Sequence, residues 1–273
     1  MTIPKRVFDR MTKMLAKYQQ VLRIAKDRDV NESDTVMIIK DILADVLGYD
    51  KYLEVTSEFA IRGTFCDVAV KIDSKIEFLL EAKAIGLELK ENHLRQALDY
   101  GANNGVQWVV LSNGIVWNIY KIKFEKPIGY DFVCSLNMLE LDPKSEQDIE
   151  KLFILCKEGI VKDAREEYFE KRQSVNRFVL GELLLRENVL FEIRKQLRKM
   201  SEGVPVDIDD IQKVLKNEVI KRDVLEGDEA KKARDRINKF YRKQAKKNEK
   251  KIEVVNKEKL DSSNVSIDEA NIG

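Results

Sequence analysis

The stretch TFCDVAVKIDSKIEFLLEAKAIG, residues 64–86, decides the fold that we expect for this chain. Its segments VAVKI (68–72) and IEFLL (76–80) are short, rich in β-branched or large apolar residues, and bounded by turn-like residues, which predicts two strands. Residues 73–75 lie between the two segments and fit a tight hairpin turn, although they lack the Asn-Gly signature. We therefore expect an antiparallel hairpin here.

Charged residues stand at the open end of this predicted hairpin. Asp67 comes just before the first segment, and Glu81 and Lys83 come just after the second. Because side chains alternate along a strand, Glu81 and Lys83 point to the same side, and antiparallel pairing brings Asp67 close to Glu81. Two carboxylates can hold Mg²⁺, a hard ion that takes oxygen ligands and keeps several waters. A lysine beside them can polarise a metal-bound water and offset charge on a phosphate, so the pattern predicts phosphodiester cleavage.

A chance match is the alternative explanation of this pattern. Charged residues make up 36% of the chain, so an Asp followed later by Glu-x-Lys also arises without any function. Glu88-Leu89-Lys90 is a second Glu-x-Lys in the same stretch. It follows the predicted strand, in a segment that leads into a predicted helix, and we interpret it as such a chance match.

A longer run of the chain carries a family resemblance. The run SEFAIRGTFCDVAV…FLLEAKA…HLRQALDYGANNGVQWVVLSNGIVWNIYKI resembles the N-terminal nuclease domain of type I restriction enzyme R subunits, which belongs to the PD-(D/E)XK nuclease superfamily. The resemblance covers roughly residues 30–140. It includes the acidic pair and the lysine, the NESDTV…LGYD opening, and Gln96 and Tyr100, which match a Q-x-x-x-Y element.

The resemblance implies a role for each residue of the acidic and basic cluster. Asp67 and Glu81 would ligate Mg²⁺, with Mn²⁺ as its substitute, and the backbone carbonyl of Ala82 would be a further ligand. Lys83 would orient or deprotonate the attacking water. Cys66 stands where the name of the superfamily has proline, a departure that this branch often shows.

Further residues gain roles from the same resemblance. Glu32 matches the acidic residue on the first helix that completes the metal shell, with Asp34 as a neighbouring alternative. A negative charge at Glu32 could instead stabilise the helix N-terminus. Gln96 and Tyr100 are four residues apart on a predicted helix, hence on one face, and would contact the DNA backbone or brace the site. They could equally form an ordinary helix-surface pair. His93, the single histidine, is expected to cap that helix or to lie on its surface, and not to serve as a ligand or base.

Composition narrows the function classes. A chain of 273 residues with 44% hydrophobic residues can form one medium domain and a smaller one. Three cysteines without paired spacing predict neither a disulfide framework nor a zinc site. The chain has neither an apolar stretch of membrane-spanning length nor the apolar core of a signal peptide, so we expect a cytoplasmic protein without a membrane partner. It also lacks a G-x-x-x-x-G-K-[ST] phosphate loop, so we expect no ATP-driven motor.

The chain is expected to fall into three regions. We predict an α/β fold of the PD-(D/E)XK, restriction-endonuclease-like class over residues 1–142, with a mixed sheet flanked by helices and a leading N-terminal helix. A helical region follows over residues 143–226, and residues 227–273 form a basic helix and a flexible polar tail. The basic run Lys231–Lys251 could track phosphates, or it could be a solvated helix face.

Two hypotheses about function follow. The first is a Mg²⁺-dependent endonuclease that acts on DNA, or on RNA by the same chemistry, in restriction, phage defence or mobile-element biology. It would act alone, as a homodimer, or after recruitment by another protein. The alternative is a non-catalytic nucleic-acid-binding or interaction module that retains the nuclease fold; the helical half and the basic run favour it.

Overall fold

A computed structural model describes residues 2–61, 64–201 and 204–244. The chain divides into two compact units, Met1–Arg172 and Gln173–Gly273. The first unit carries a sheet with helices, and the described part of the second unit is helical. Residues 245–273, which contain the end of the predicted basic run and the predicted polar tail, lie outside the described residues.

The first unit contains these elements within its described residues. In chain order they are α1 Lys5–Asp27, α2 Glu32–Asp45, β1 Val55–Ile61, β2 Thr64–Ile72, β3 Lys75–Ala82, α3 Glu91–Asn104, β4 Trp108–Ser112, β5 Val116–Lys123, β6 Gly129–Asn137, α4 Glu146–Phe153, α5 Lys157–Val161 and α6 Ala164–Ser174.

The six strands form one mixed sheet in the order β1-β2-β3-β4-β5-β6. Neighbouring strands are antiparallel except β3 and β4, which are parallel and are joined through α3. Parallel neighbours need such a crossover, whereas antiparallel neighbours need only a short turn. The predicted mixed α/β class is therefore confirmed at this level.

The β2–β3 hairpin forms where the sequence predicts it. Ile72 pairs with Lys75, so the loop contains only Asp73 and Ser74, one residue fewer than expected. Both loop residues have positive φ, 48° and 66°. A two-residue loop of this type matches the twist of the flanking strands, and Asp and Ser supply it here without glycine. The short loop sets the register next to the turn, and the pairing shifts by one residue between Val70 and Lys71 before it reaches Val68 and Leu80.

Apolar side chains on the two faces of the sheet belong to different clusters. Phe78, Leu80 and Ala82 of β3 are buried in the main core with residues of α1, α2 and α4. Leu79 belongs instead to a smaller cluster that includes Tyr100 of α3. This alternation is what period-two packing along a strand produces. Helices therefore cover both faces of β3.

The first unit extends beyond the predicted boundary at residue 142. Ile149, Leu152 and Phe153 of α4 are fully buried in the main core. Arg10 of α1 donates two hydrogen bonds to Glu158 of α5, at 2.7 and 2.8 Å. These contacts join the first helix to α4 and α5, so the first compact unit continues past residue 142 and ends after Arg172.

The second unit is described over 173–201 and 204–244. Its helices are α7 Arg177–Leu184, α8 Glu187–Met200, α9 Ile208–Val214 with a π-helical turn at Leu215–Val219, α10 Arg222–Leu225, and α11 over 228–244. Val179 of α7 and Ala233 and Ile237 of α11 form a buried cluster. Helix α11 therefore shares a core with α7, across the predicted separation at residue 227.

In the part of the chain that the structure describes, no helix is both long enough and apolar enough to cross a lipid bilayer.

Glu158 should make stability depend on pH. Burial opposes its charge, but the hydrogen bonds from Arg10 outweigh this and lower the pKa of Glu158 to about 2, from 4.5. A lowered carboxyl pKa stabilises the fold above pH 4.5, and this stabilisation is lost as the pH falls towards 2. We expect Glu158→Gln to lower the free energy of unfolding by about 1.5–3 kcal/mol at pH 7.

Urea denaturation at a series of pH values measures this effect. The difference between the wild type and Glu158→Gln should shrink between pH 4.5 and pH 2. Glu150→Gln, at an exposed position of α4, is the matched control and should differ little from wild type. A Glu158→Gln deficit that stays constant over this range would contradict the assignment.

Candidate functional site

The open end of the β2–β3 hairpin brings together the acidic residues predicted for the site. Val68 of β2 pairs with Leu80 of β3. Asp67 comes directly before the first of these, and Glu81 directly after the second. The Asp67 carboxylate accepts a hydrogen bond of 2.7 Å from the backbone N–H of Ala82. Asp67 is therefore fixed against the backbone between Glu81 and Lys83.

The Lys83 ammonium lies among the oxygens of this cluster. Its Nζ donates hydrogen bonds of 2.7 Å to Glu81 Oε1 and 2.7 Å to the Ala82 carbonyl. It also lies 3.6 Å from Glu32 Oε2. Glu81, the Ala82 carbonyl and Glu32 are three of the four metal ligands that the family resemblance implies. The cluster thus presents converging oxygens to a cation.

Strand β4 fixes the backbone at Lys83. Ala82 pairs with Ser112, the last residue of β4, and the Lys83 N–H donates a hydrogen bond of 2.8 Å to the Ser112 carbonyl. Asn113 donates from its side chain to the Leu87 carbonyl at 3.0 Å, which holds the loop after Lys83. Sequence reasoning did not assign these two residues to the site. The Ser-Asn-Gly sequence marks a turn at residues 112–114, but the pairing of β4 with β3 is what brings it to the site.

Burial and charge set the ionisation of the pair. Glu81 is only 7% exposed, and this burial, with the nearby charge of Asp67, raises its carboxyl pKa despite the bond from Lys83. Burial also opposes the charge on Lys83. The hydrogen bond to Glu81 and the charges of Glu81, Glu32 and Asp67 outweigh it, so the pKa of Lys83 lies above 10.5. Lys83 is therefore a cation at neutral pH and acts as a donor, which favours water orientation over water deprotonation.

Glu32 lies at the start of α2, where it can both stabilise the helix N-terminus and reach the predicted metal site. It is the first residue of the helix, and the preceding Asn31 caps it by accepting the Asp34 N–H at 2.9 Å. Glu32 also reaches the Lys83 ammonium, with its own side chain 51% exposed. A carboxylate here can favour the helix N-terminus and interact with Lys83 at the same time. The alternative, Asp34, is exposed.

Gln96 and Tyr100 of α3 differ in burial although they are four residues apart. Gln96 is exposed, whereas Tyr100 is fully buried. Tyr100 shares a cluster with Cys66, which precedes Asp67, and with Leu79, two residues before Glu81. This position fits the bracing role and does not fit direct contact with a nucleic acid.

Two neighbouring motifs have structural explanations. His93 accepts a hydrogen bond from the Lys90 N–H at 3.2 Å at the start of α3, as the capping prediction expects. Glu88 and Lys90, the second Glu-x-Lys, have side chains 86% and 65% exposed and lie 3.9 Å apart. They belong to the solvent-exposed surface, in contrast to Glu81 and Lys83.

The donor set of the cluster fits a hard divalent cation. In the described ranges, no three His, Cys, Asp or Glu side chains are arranged so that they could hold a metal ion. The cluster offers two carboxylates and one carbonyl. The Lys83 ammonium binds the Glu81 carboxylate and the Ala82 carbonyl, and the Asp67 carboxylate accepts from the Ala82 N–H. Mg²⁺ takes one or two carboxylates and keeps several waters, so an all-oxygen set of this size suits it.

Comparison with protein-family models, with curated proteins and with solved structures finds no match to this chain.

Tyr100 should contribute strongly to stability. Replacing this fully buried side chain by alanine leaves a cavity beneath the strands of the site, and we expect Tyr100→Ala to cost about 3–5 kcal/mol of unfolding free energy. Gln96→Ala, on the exposed side of the same helix, should cost less than about 1 kcal/mol. Chemical denaturation monitored by circular dichroism measures both values. Equal, small effects of the two substitutions would show that Tyr100 is not a bracing residue.

Proposed function

We propose that this protein is a Mg²⁺-dependent endonuclease that hydrolyses phosphodiester bonds of DNA, in restriction, phage defence or mobile-element biology. One observation carries the proposal: Asp67, Glu81 and Lys83 converge at the end of a single hairpin. Lys83 bonds both the Glu81 carboxylate and the Ala82 carbonyl. Phosphodiester cleavage requires such a combination of acidic oxygens and a cationic donor.

The topology supports a PD-(D/E)XK assignment. Asp67 lies on β2 and Glu81 on β3, which are antiparallel, and Lys83 follows directly after β3. The chain then passes through α3 to β4, which is parallel to β3. This arrangement suits the nuclease domain of type I restriction R subunits, which the sequence resembles. The Q-x-x-x-Y element lies on α3, where Tyr100 packs beneath the strands of the site.

Each residue of the cluster would have its own role in the reaction. Asp67, Glu81 and the Ala82 carbonyl would hold Mg²⁺, or Mn²⁺ as its substitute. When bound, the metal lowers the pKa of a coordinated water and stabilises charge on phosphate oxygens. Lys83 is charged at neutral pH and would donate a hydrogen bond to the water or to a phosphate oxygen. The buried surroundings of Glu81 strengthen each of these interactions.

Substrate and partners are proposed from the same chemistry. DNA is the proposed substrate, and RNA presents the same phosphodiester to the site. A homodimer, or recruitment by another protein, would supply a second cut or a target. The part of the basic run that the structure describes lies on α11, whose Lys239, Arg242 and Lys243 lie close together and could contact phosphates.

Cleavage of supercoiled plasmid tests the proposal. With Mg²⁺, the wild type should nick or linearise the plasmid, and EDTA should stop it. Asp67→Ala, Glu81→Ala and Lys83→Ala should each lower the rate at least about 100-fold, because each removes a group that stabilises the transition state.

The second Glu-x-Lys supplies matched controls for this experiment. Glu88→Ala and Lys90→Ala repeat the same substitutions at exposed positions of the same loop and should cleave as the wild type does. Full activity of Glu81→Ala would refute the proposal. Binding of DNA or RNA without metal-dependent cleavage would favour the non-catalytic module instead.

A further inference from the structure

The Lys83 ammonium contacts the same oxygens to which the nuclease proposal assigns the metal. Glu81 Oε1 and the Ala82 carbonyl, which we name the cation seat, each accept a hydrogen bond of 2.7 Å from Nζ. Mg²⁺ binds oxygen at about 2.0–2.1 Å, so a metal bound to the cation seat would lie in the space between its oxygens and Nζ. Two cations so close repel strongly in a buried site. Both cannot use the cation seat at once.

Glu32 offers Lys83 a second partner. Glu32 Oε2 lies 3.6 Å from Nζ, within ion-pair range but longer than the hydrogen bonds to the cation seat. The Glu32 side chain is about half exposed, so it can rotate towards the ammonium. The backbone of Lys83 is tied to Ser112, so only the side chain of the lysine has to move.

We propose that the cation seat is shared: the Lys83 ammonium holds it until a divalent metal ion enters, and Glu32 then holds Lys83. Glu32 is thus a positioning residue that acts through Lys83, and it is not a metal ligand. This inference rests on the proposed metal centre and adds the exchange and the role of Glu32. It explains how one lysine can neutralise buried Glu81 in the resting enzyme and still remain beside the reaction.

Binding of Mn²⁺ alone to the full chain, measured by isothermal titration calorimetry without nucleic acid, tests the exchange. Lys83→Met removes the competing ammonium and keeps the length of the side chain, and we expect Mn²⁺ to bind about tenfold more tightly. Lys83→Gln should act in the same direction, and thermal unfolding checks that each variant is folded. Lys90→Met removes an exposed lysine from the same loop and should leave the affinity unchanged.

A double-mutant cycle tests the role of Glu32. In the wild-type background Glu32→Gln should weaken Mn²⁺ binding several-fold, because Lys83 then loses its second partner and holds the cation seat more firmly. In the Lys83→Met background Glu32→Gln should have no effect. Equal weakening in both backgrounds would show that Glu32 binds the metal and would overturn the positioning role.

The remaining outcomes separate this inference from the proposed function. If the Lys83 variants and the wild type bind Mn²⁺ equally, the shared cation seat is wrong while the nuclease proposal stands. If neither the wild type nor any variant binds Mn²⁺, the proposed metal centre is wrong, and the proposed exchange between Lys83 and the metal is then wrong as well. Plasmid cleavage does not report on the exchange, since Lys83→Met should lose cleavage in every case.

Discussion

The hydrogen bond between Lys83 and Glu81 is the interaction on which the rest of the site depends. Glu81 is a carboxylate with 7% of its side chain exposed, and an unpaired charge at such depth costs several kcal/mol. Lys83 supplies the opposite charge at 2.7 Å, and the Ala82 carbonyl accepts a second hydrogen bond from it. Replacing a buried ion pair by an apolar pair of similar size is often neutral for stability. The proposed nuclease function gives a reason for a polar pair at this position.

Contacts from several elements of the fold hold Lys83 and Glu81 in position. The two-residue turn at Asp73 and Ser74 and the register shift after Val70 together set the pairing of β2 with β3, which brings Asp67 to the Ala82 backbone. The parallel neighbour β4 holds the Lys83 backbone through Ser112. Tyr100 fills the space beneath the strands. Each contact restrains a different part of the cluster, so Asp67, Glu81 and the backbone of Lys83 are held by the packed sheet.

Short sequence patterns predicted the parts of this structure that depend on interactions between residues close in the sequence. Alternation along the strands and the short turn predicted the β2–β3 hairpin, and the same alternation placed Glu81 and Lys83 on one side. The contribution of Ser112 was not predictable in this way, since it depends on the crossover that makes β4 a parallel neighbour of β3. The burial of Tyr100 was missed for a similar reason. Its spacing from Gln96 indicates a shared face, but only the packing of α3 on the sheet decides which residue is covered.

The boundaries of the units depend on contacts between distant residues. Arg10 and Glu158 are far apart in the sequence, and no local sequence pattern predicts their ion pair. The composition change after residue 142 marks the end of the sheet, but α4 to α6 still complete its core. Likewise, the basic character of α11 suggested a separate tail, whereas Ala233 and Ile237 join it to α7. Helical periodicity identifies these segments without indicating which core they share.

Anomalous diffraction from crystals soaked in Mn²⁺ would test the central assignment most directly. We expect a peak at the end of β2 and β3, about 2 Å from a carboxylate oxygen of Glu81 and from the Ala82 carbonyl, with Asp67 beside it. An anomalous signal only at other carboxylates, with the Lys83 ammonium still bonded to Glu81 at saturating Mn²⁺, would contradict it.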